Sequence, residues 1–224
     1  MNEESRNIAI VDFGLGNLYS VHQACSKVGL YAEITSSKQA ILDAEVVILP
    51  GVGAFGDAMA ALHRLDLVTV LREVAASDKL LMGICLGMQL MMQESNEFGT
   101  HKGLGIFDGV VVPFEKPREG ERVLKVPQIG WNRICKPERD TNWSNILLSG
   151  IPDGEHMYFV HSNFVQPEDK TLVLAKTHYG HIEFCSSLQK GTVFACQFHP
   201  ERSGPWGMRI YKNLANFVNK VMEG

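Results

Sequence analysis

Two stretches, "EVVILPG" and "KLLMGIC", are almost wholly apolar, and each runs through a glycine-bearing turn into a helical pattern. No other feature restricts the fold as much. A strand without a polar face needs cover on both sides, and a parallel sheet between two helical layers supplies it.

The alternation extends through the first hundred or so residues. "NIAIVDF" reads as a strand, and "LYSVHQACSKVG" as a helix on which Leu18, Val21, Cys25 and Val28 recur, with Gly29 as its stop. "YAEITSS" reads as a short strand and "KQAILDA" as a short helix. "GDAMAALHRLDLVTVLREVAAS" is helical throughout, and "LGMQLMMQES" is the helix after "KLLMGIC".

Beyond Leu104 the texture changes. "GLGIFDGVVVPFE", "VPQIGWNRI", "EHMYFVHSNFVQ", "TLVLAKTHYG", "HIEFCSSLQ" and "GTVFACQFHPE" read as strands separated by turn residues, meanders that extend the sheet in antiparallel fashion. Ile210, Leu214, Phe217 and Val221 mark a closing amphipathic helix. No repeat or linker divides the 224 residues. They are expected to form one α/β domain, flavodoxin-like, with a mixed, mainly parallel central sheet flanked by helices.

Charge and cysteine usage narrow the function. The net charge is −4 with acids and bases interspersed, which argues against a nucleic-acid groove or an anionic-membrane surface. The acidic start "MNEESRNIAIVDF" is no signal peptide, and the longest apolar run, "LLMGICLGMQLMM", contains a glutamine. Five cysteines, with no C-x-x-C pair or zinc spacing, point to reduced thiols and a cytoplasmic protein.

"MGICLGMQ" holds Cys85 between Gly83 and Gly87 where a strand gives way to a helix. G-x-C-x-G at such a junction describes a nucleophile elbow, whose tight turn needs small neighbours and lifts the nucleophile clear of the backbone. The positive end of the next helix points at the sulfur, which favours thiolate, and the Leu86 amide is placed to donate to an oxyanion. The same pattern alone also fits a buried structural cysteine.

A thiolate nucleophile needs a histidine to manage protons and a group to orient that histidine. Of eight histidines, His22 and His63 fall on helices, while His199 stands just past an apolar strand in "FACQFHPERSG", where sheet proteins build their sites. Glu201 follows two residues later, facing the same way along an extended backbone, with Pro200 stiffening the link. Alone, this pair also fits a surface contact at a strand end. "LPGVGAFGDAM" lacks the ending of a phosphate loop and the Rossmann spacing, and fits an oxyanion loop opposite the elbow. Cys25, Cys185 and Cys196 read as core residues and Cys135 as nearer the surface. His178 and His181 bracket a hairpin turn without a nearby carboxylate or thiol, so no metal site is expected.

With these pieces placed, the chain resembles the triad (class I) glutamine amidotransferases, and within them the glutaminase subunits of imidazole glycerol phosphate synthases. "IVDFGLGNLYSV", "PGVGAFGDAM", "GICLGMQLM", "IGWN", "YFVHS" and "QFHPERSG" match family motifs in order, essentially end to end. The resemblance implies Cys85 as nucleophile, His199 as general base and acid, and Glu201 as its orienting carboxylate. It assigns Gln89 and Glu97, with the backbone around His161 and Ser162, to the ends of L-glutamine, and the amides of Val52 or Gly53 and of Leu86 to the oxyanion.

It also implies no cofactor, and a (β/α)8-barrel synthase partner. That partner receives ammonia through an interior path and joins it to a ribulosyl-formimino aminoimidazole carboxamide ribotide. Arg202 stands where a lysine is commoner, which bears on partner pairing. "VPQIGWN" and "FGTHKGLGIFDGVVVPF" also resemble relatives that feed ammonia to amidotransferases of nucleotide-linked sugars, an alternative acceptor. A stand-alone cysteine hydrolase of the α/β-hydrolase type is disfavoured, because the acid there precedes the histidine.

Overall fold

The computed structural model describes residues 8–137, 141–144 and 147–223, with side chains described up to Asn219. The acidic leader, residues 1–7, therefore lies outside the described residues, and Val221 of the closing apolar stripe is described in its backbone only.

Strand β1 (Ile8–Val11), helix α1 (Leu18–Lys27), β2 (Ala32–Thr35), α2 (Lys38–Asp43) and β3 (Val46–Gly51) follow the expected alternation. Next come α3 (Phe55–Arg64), α4 (Leu67–Ala76), β4 (Leu80–Cys85) and α5 (Leu86–Leu90). The second half holds β5 (Met92–Ser95), β6 (His101–Lys102), β7 (Phe107–Pro113), β8 (Arg118–Glu119), β9 (Arg122–Val123) and β10 (Gln128–Ile134). It continues with β11 (Glu155–His161), β12 (Asn163–Pro167), β13 (Val173–Tyr179), β14 (Ile182–Lys190), β15 (Val193–Cys196) and α6 (Gly204–Glu223).

Among the described residues eleven strands form one sheet, in the order β2-β1-β3-β4-β15-β14-β12-β7-β5-β6 with β13 added to β14. Strands β2, β1, β3, β4 and β15 run parallel, and the later ones join mostly antiparallel, so the sheet is mixed with a parallel centre. Alternate side chains feed opposite faces. Ile8, Ile10, Ile48, Met82 and Phe194 pack with α1 and α6, while Ala9, Val11, Val47, Leu81 and Ala195 pack with α2, α3, α4 and α5. Each large aliphatic or aromatic side chain buried in these layers contributes about 1.5–3 kcal/mol.

Three elements depart from expectation. The single helix expected over 56–77 is two, broken at Leu65 and Asp66, where Asp66 takes a left-handed φ of 52°. The apolar stripe of Phe55, Met59 and Leu62 is out of phase with that of Leu67, Leu71 and Val74, and only a break lets both face the sheet.

The helix after Cys85 stops at Leu90 rather than reaching Ser95. The carbonyls of Leu90, Met91 and Met92 accept hydrogen bonds from residues 104–107, which draw the chain into β5. "EHMYFVHSNFVQ" is two strands, not one. β11 forms a separate ribbon with β10, and β12 joins the main sheet beside β7. Ser162 is the hinge between them, its carbonyl accepting the Phe114 N–H at 2.9 Å.

Candidate active site

Gly51 of β3 lies beside Cys85 of β4 in parallel register, so the loop at Val52 and Gly53 leaves the sheet at the same end as the cysteine. Cys85 has φ 54° and ψ −110°, a conformation that costs a non-glycine residue about 1–3 kcal/mol. The surroundings enforce it. A Cβ at Gly87 would overlap the Leu49 carbonyl oxygen and lie 2.8 Å from its carbon, and one at Gly83 would lie 2.8 Å from Met91 Cε. Both glycines thus let α5 press against the sheet.

Cys85 is 5 % exposed. Its Sγ lies 3.8 Å from the Val160 carbonyl oxygen and accepts from Gln197 Nε2 at 3.6 Å. Helix α5 has only five residues, so it offers the sulfur a few free amides rather than the field of a long helix.

β15 flanks β4 on its other side, with Cys196 level with Ile84, so the chain leaving β15 passes the elbow. The His199 N–H donates to the Tyr158 carbonyl at 2.9 Å. The Ser203 hydroxyl donates to the His199 carbonyl at 2.6 Å and accepts the Tyr158 N–H at 2.9 Å. His199 Nδ1 is 2.8 Å from Glu201 Oε1, with both side chains almost wholly buried. Glu201 does not extend the strand as expected. It lies in a single 3-10 turn, Pro200–Arg202, whose curl returns the carboxylate to the ring.

Burial disfavours a charged imidazole here, yet the charge of Cys85, its contact with the ring and then Glu201 outweigh it and push His199 up to about 10. Nε2 is buried without a conventional hydrogen-bond partner, so the sulfur acts on it chiefly through charge. At neutral pH the ring is an imidazolium between sulfur and carboxylate.

Behind the elbow lies a polar network that includes the residues the resemblance assigns to glutamine. Gln89 is buried, and its Nε2 already donates to the Asn163 carbonyl and to Gln197 Oε1, both at 3.0 Å. Glu97 accepts from the Phe55 N–H and from Asn163 Nδ2, each at 2.5 Å. A carboxylate has about four acceptor positions, so capacity for a substrate ammonium remains. Val52 is exposed, Gly53 has a positive φ of 110°, and Leu86 opens α5 beside them. Gln197, Asn163 and Ser203 escaped the sequence reading. Gln197 left a signal, a polar residue closing the apolar run "FACQF", whereas Asn163 and Ser203 left none.

His161 is buried against Phe114, Phe159 and Phe184, with Nδ1 2.8 Å from the Asn163 carbonyl. Burial pushes it down to about 4, against the pull of that carbonyl and aided by His199. The ring is therefore neutral and donates through Nδ1. As pH falls below about 6.5 the unfolded chain takes up a proton that the folded chain refuses until about pH 4, and stability is lost across that window. Relative to His161→Phe, the parent chain should lose about 3 kcal/mol between pH 7 and pH 4 in denaturant titrations. Parallel curves for the two proteins would show that His161 is not held neutral.

Elsewhere, one expectation needs correction. Glu183 Oε2 lies 3.3 Å from His178 Nε2, so a carboxylate does stand beside this histidine. Among the described residues, however, no group of three or more His, Cys, Asp or Glu could hold a metal. Burial raises the thiols of Cys25 and Cys185 to about 12 and pushes that of Cys196 well above its ordinary value, as in buried core residues. The Arg202 guanidinium lies 4.8 Å from the Tyr158 ring centroid, and a planar cation suits that stack. No described helix is long and apolar enough to cross a membrane.

The family model described as glutamine amidotransferase class-I matches residues 9–217. The chain is 44 % identical over 208 residues to imidazole glycerol phosphate synthase subunit HisH of Rhodopirellula baltica, covering 93 % of this chain and 96 % of that one. It is 41 % identical to the Aquifex aeolicus protein of the same name, covering 95 % and 97 %. Among solved structures, PurLQS of Thermotoga maritima aligns with a TM-score of 0.70 at 20 % identity, over 94 % of this chain and 98 % of that one. The glutaminase domain of Trypanosoma brucei CTPS, with bound acivicin, aligns at 0.65 and 15 % identity, over 95 % and 93 %. These structural likenesses concern the fold.

Proposed function

This chain belongs to the glutamine amidotransferase class-I family, and from that premise we propose that residues 1–224 form one glutaminase domain working through Cys85, His199 and Glu201. It is a glutamine amidotransferase, and the ammonia it releases serves imidazole glycerol phosphate formation in histidine biosynthesis, as the names of its relatives support. Those relatives favour this acceptor over a nucleotide-linked sugar.

The observation that carries the residue assignment is the buried His199 ring, held 2.8 Å from Glu201 Oε1 and facing the charge of Cys85. The Cys85 thiolate attacks the side-chain amide carbon of glutamine. The resulting oxyanion is met by the amide of Leu86 and that of Val52 or Gly53. As the tetrahedral adduct collapses, His199 gives its Nε2 proton to the departing nitrogen, and ammonia leaves. Water then attacks the thioester carbon, surrendering a proton to His199, and as the C–S bond breaks glutamate is released and the thiolate beside the charged ring is restored. Glu201 keeps the proton on Nδ1 and the ring in place throughout. Glu97, Gln89 and the backbone at His161 and Ser162 hold the amino-acid end of glutamine.

In bulk water most of the ammonia would be protonated and lost as a nucleophile. The protein therefore acts in the cytoplasm as one half of a heterodimer, docked on a (β/α)8-barrel synthase that takes up ammonia directly. Ile129 and Trp131, exposed on β10 near the site, belong to the docking face. Exposed Val52 and unhindered Gly53 leave the oxyanion loop free for the partner to set. Glutamate release by the isolated chain should be slow, and a histidine-pathway barrel synthase with its own substrate bound should raise it at least about 100-fold. Stimulation only by a sugar-amidating synthase would transfer the acceptor to that chemistry, and full speed without a partner would sink the coupled-subunit reading.

A further inference from the structure

The triad leaves two polar atoms unexplained. Glu201 meets His199 through Oε1, while its Oε2 is buried without a hydrogen-bond partner, and so is the hydroxyl of Tyr211 on α6. An orphaned buried carboxylate oxygen is costlier than an orphaned hydroxyl, because it carries charge.

The fold brings the two groups to one place. Helix α6 begins just after the turn that carries Glu201 and lies hard against it, since a Cβ at Gly207 would overlap the Pro200 carbonyl oxygen. Tyr211 is four residues further on, on the same helix face. Side chains of a helix lean toward its N-terminus, so the Tyr211 ring runs back toward the Glu201 turn.

The other titratable groups around this hydroxyl are Cys25 from α1 and Cys196 from β15, and a thiol is a weak acceptor. Burial, and next the charge of Glu201, raise the phenol well above its ordinary value and keep it a neutral donor. Packing does not call for the oxygen. The ring is fully buried among Ile210, Leu214 and other apolar side chains, where phenylalanine fills the same volume.

We infer that Tyr211 is a positioning residue for the triad: its hydroxyl donates to Glu201 Oε2 through one bridging water, which satisfies both orphaned atoms and holds the carboxylate so that Oε1 meets His199 Nδ1. Tyr211 touches no reacting atom and acts only through Glu201. The inference rests on Glu201 orienting His199, which the experiment below tests separately.

Tyr211→Phe removes one oxygen and keeps the ring. In the complex with the barrel synthase, kcat for glutamate release should fall about 10-fold, the usual scale for losing a hydrogen bond to a charged group, with KM for glutamine unchanged. Alkylation of Cys85 by iodoacetamide at neutral pH, followed by mass spectrometry, should slow in step, while Tm stays within a few degrees. Glu201→Gln alone should cost about 100-fold or more in kcat. Adding Tyr211→Phe to it should change nothing further, since the charged acceptor is gone.

If Tyr211→Phe keeps kcat within about twofold and alkylation unchanged, the inference falls. It falls too if the lost activity merely tracks a lower folded fraction. A fully active Glu201→Gln would instead overturn the triad assignment beneath it.

Discussion

Cys85→Ala should abolish glutamine-dependent synthesis by the complex, with glutamate release down about 10⁴-fold or more, while synthesis from added ammonium salts persists. The size of the effect follows from the chemistry. No other side chain can take the sulfur's place: Cys196 is wholly buried with its thiol raised far from ionisation, and Gln197 offers Cys85 only an amide. The fold should survive, because alanine deletes a single atom and leaves the backbone pairing of β4 with Gly51 intact. Small side chains remain strained at φ 54°, so Tm should change little in either direction. The measurement is a pair of assays on one preparation, glutamine-fed and ammonium-fed. Loss of both activities would make Cys85 a structural residue and end the nucleophile reading.

Gly87→Ala should be the most damaging single-methyl addition in the chain. In an ordinary helix the exchange of glycine for alanine stabilises by about 1 kcal/mol. Here the added carbon would overlap the Leu49 carbonyl oxygen in the middle of the parallel sheet, and backbone cannot swing aside as a flexible side chain can. Either α5 lifts off the sheet and takes Cys85 with it, or β3 shifts and moves the loop after Gly51 relative to Cys85. The expected loss is at least about 3 kcal/mol, or roughly 6–12 °C in Tm for a chain of this size. Glutaminase activity should vanish even below the new Tm, because the elbow sets the sulfur's direction. A Gly87→Ala protein with parental Tm and turnover would show that α5 has room the structure denies it.

Glu201 shows how far the sequence could be read. Its pairing with His199 was legible because the partners are two residues apart, so any local geometry keeps them within reach. The geometry itself was not legible. An extended backbone and a 3-10 turn both bring the carboxylate to the ring, and only contact with α6 decides for the turn. Gln197 and Asn163 lie over 65 residues from the partners that give them meaning, Cys85, Gln89 and Glu97. No pattern along the chain marks such a pairing.

The sequence by itself determined the doubly covered parallel centre of the sheet, the glycine-fenced elbow at Cys85 and the His199–Glu201 pair. Each rests on spacing within a few residues, where periodicity and steric limits act without help from the rest of the chain. Tertiary structure alone decided the break at Asp66, the early end of α5, the split at Ser162 and the company of Tyr211. At each of these points local preference allowed more than one conformation. Hydrogen bonds and close contacts with distant segments, from residues 104–107 to the helix after Glu201, selected the one the fold adopts.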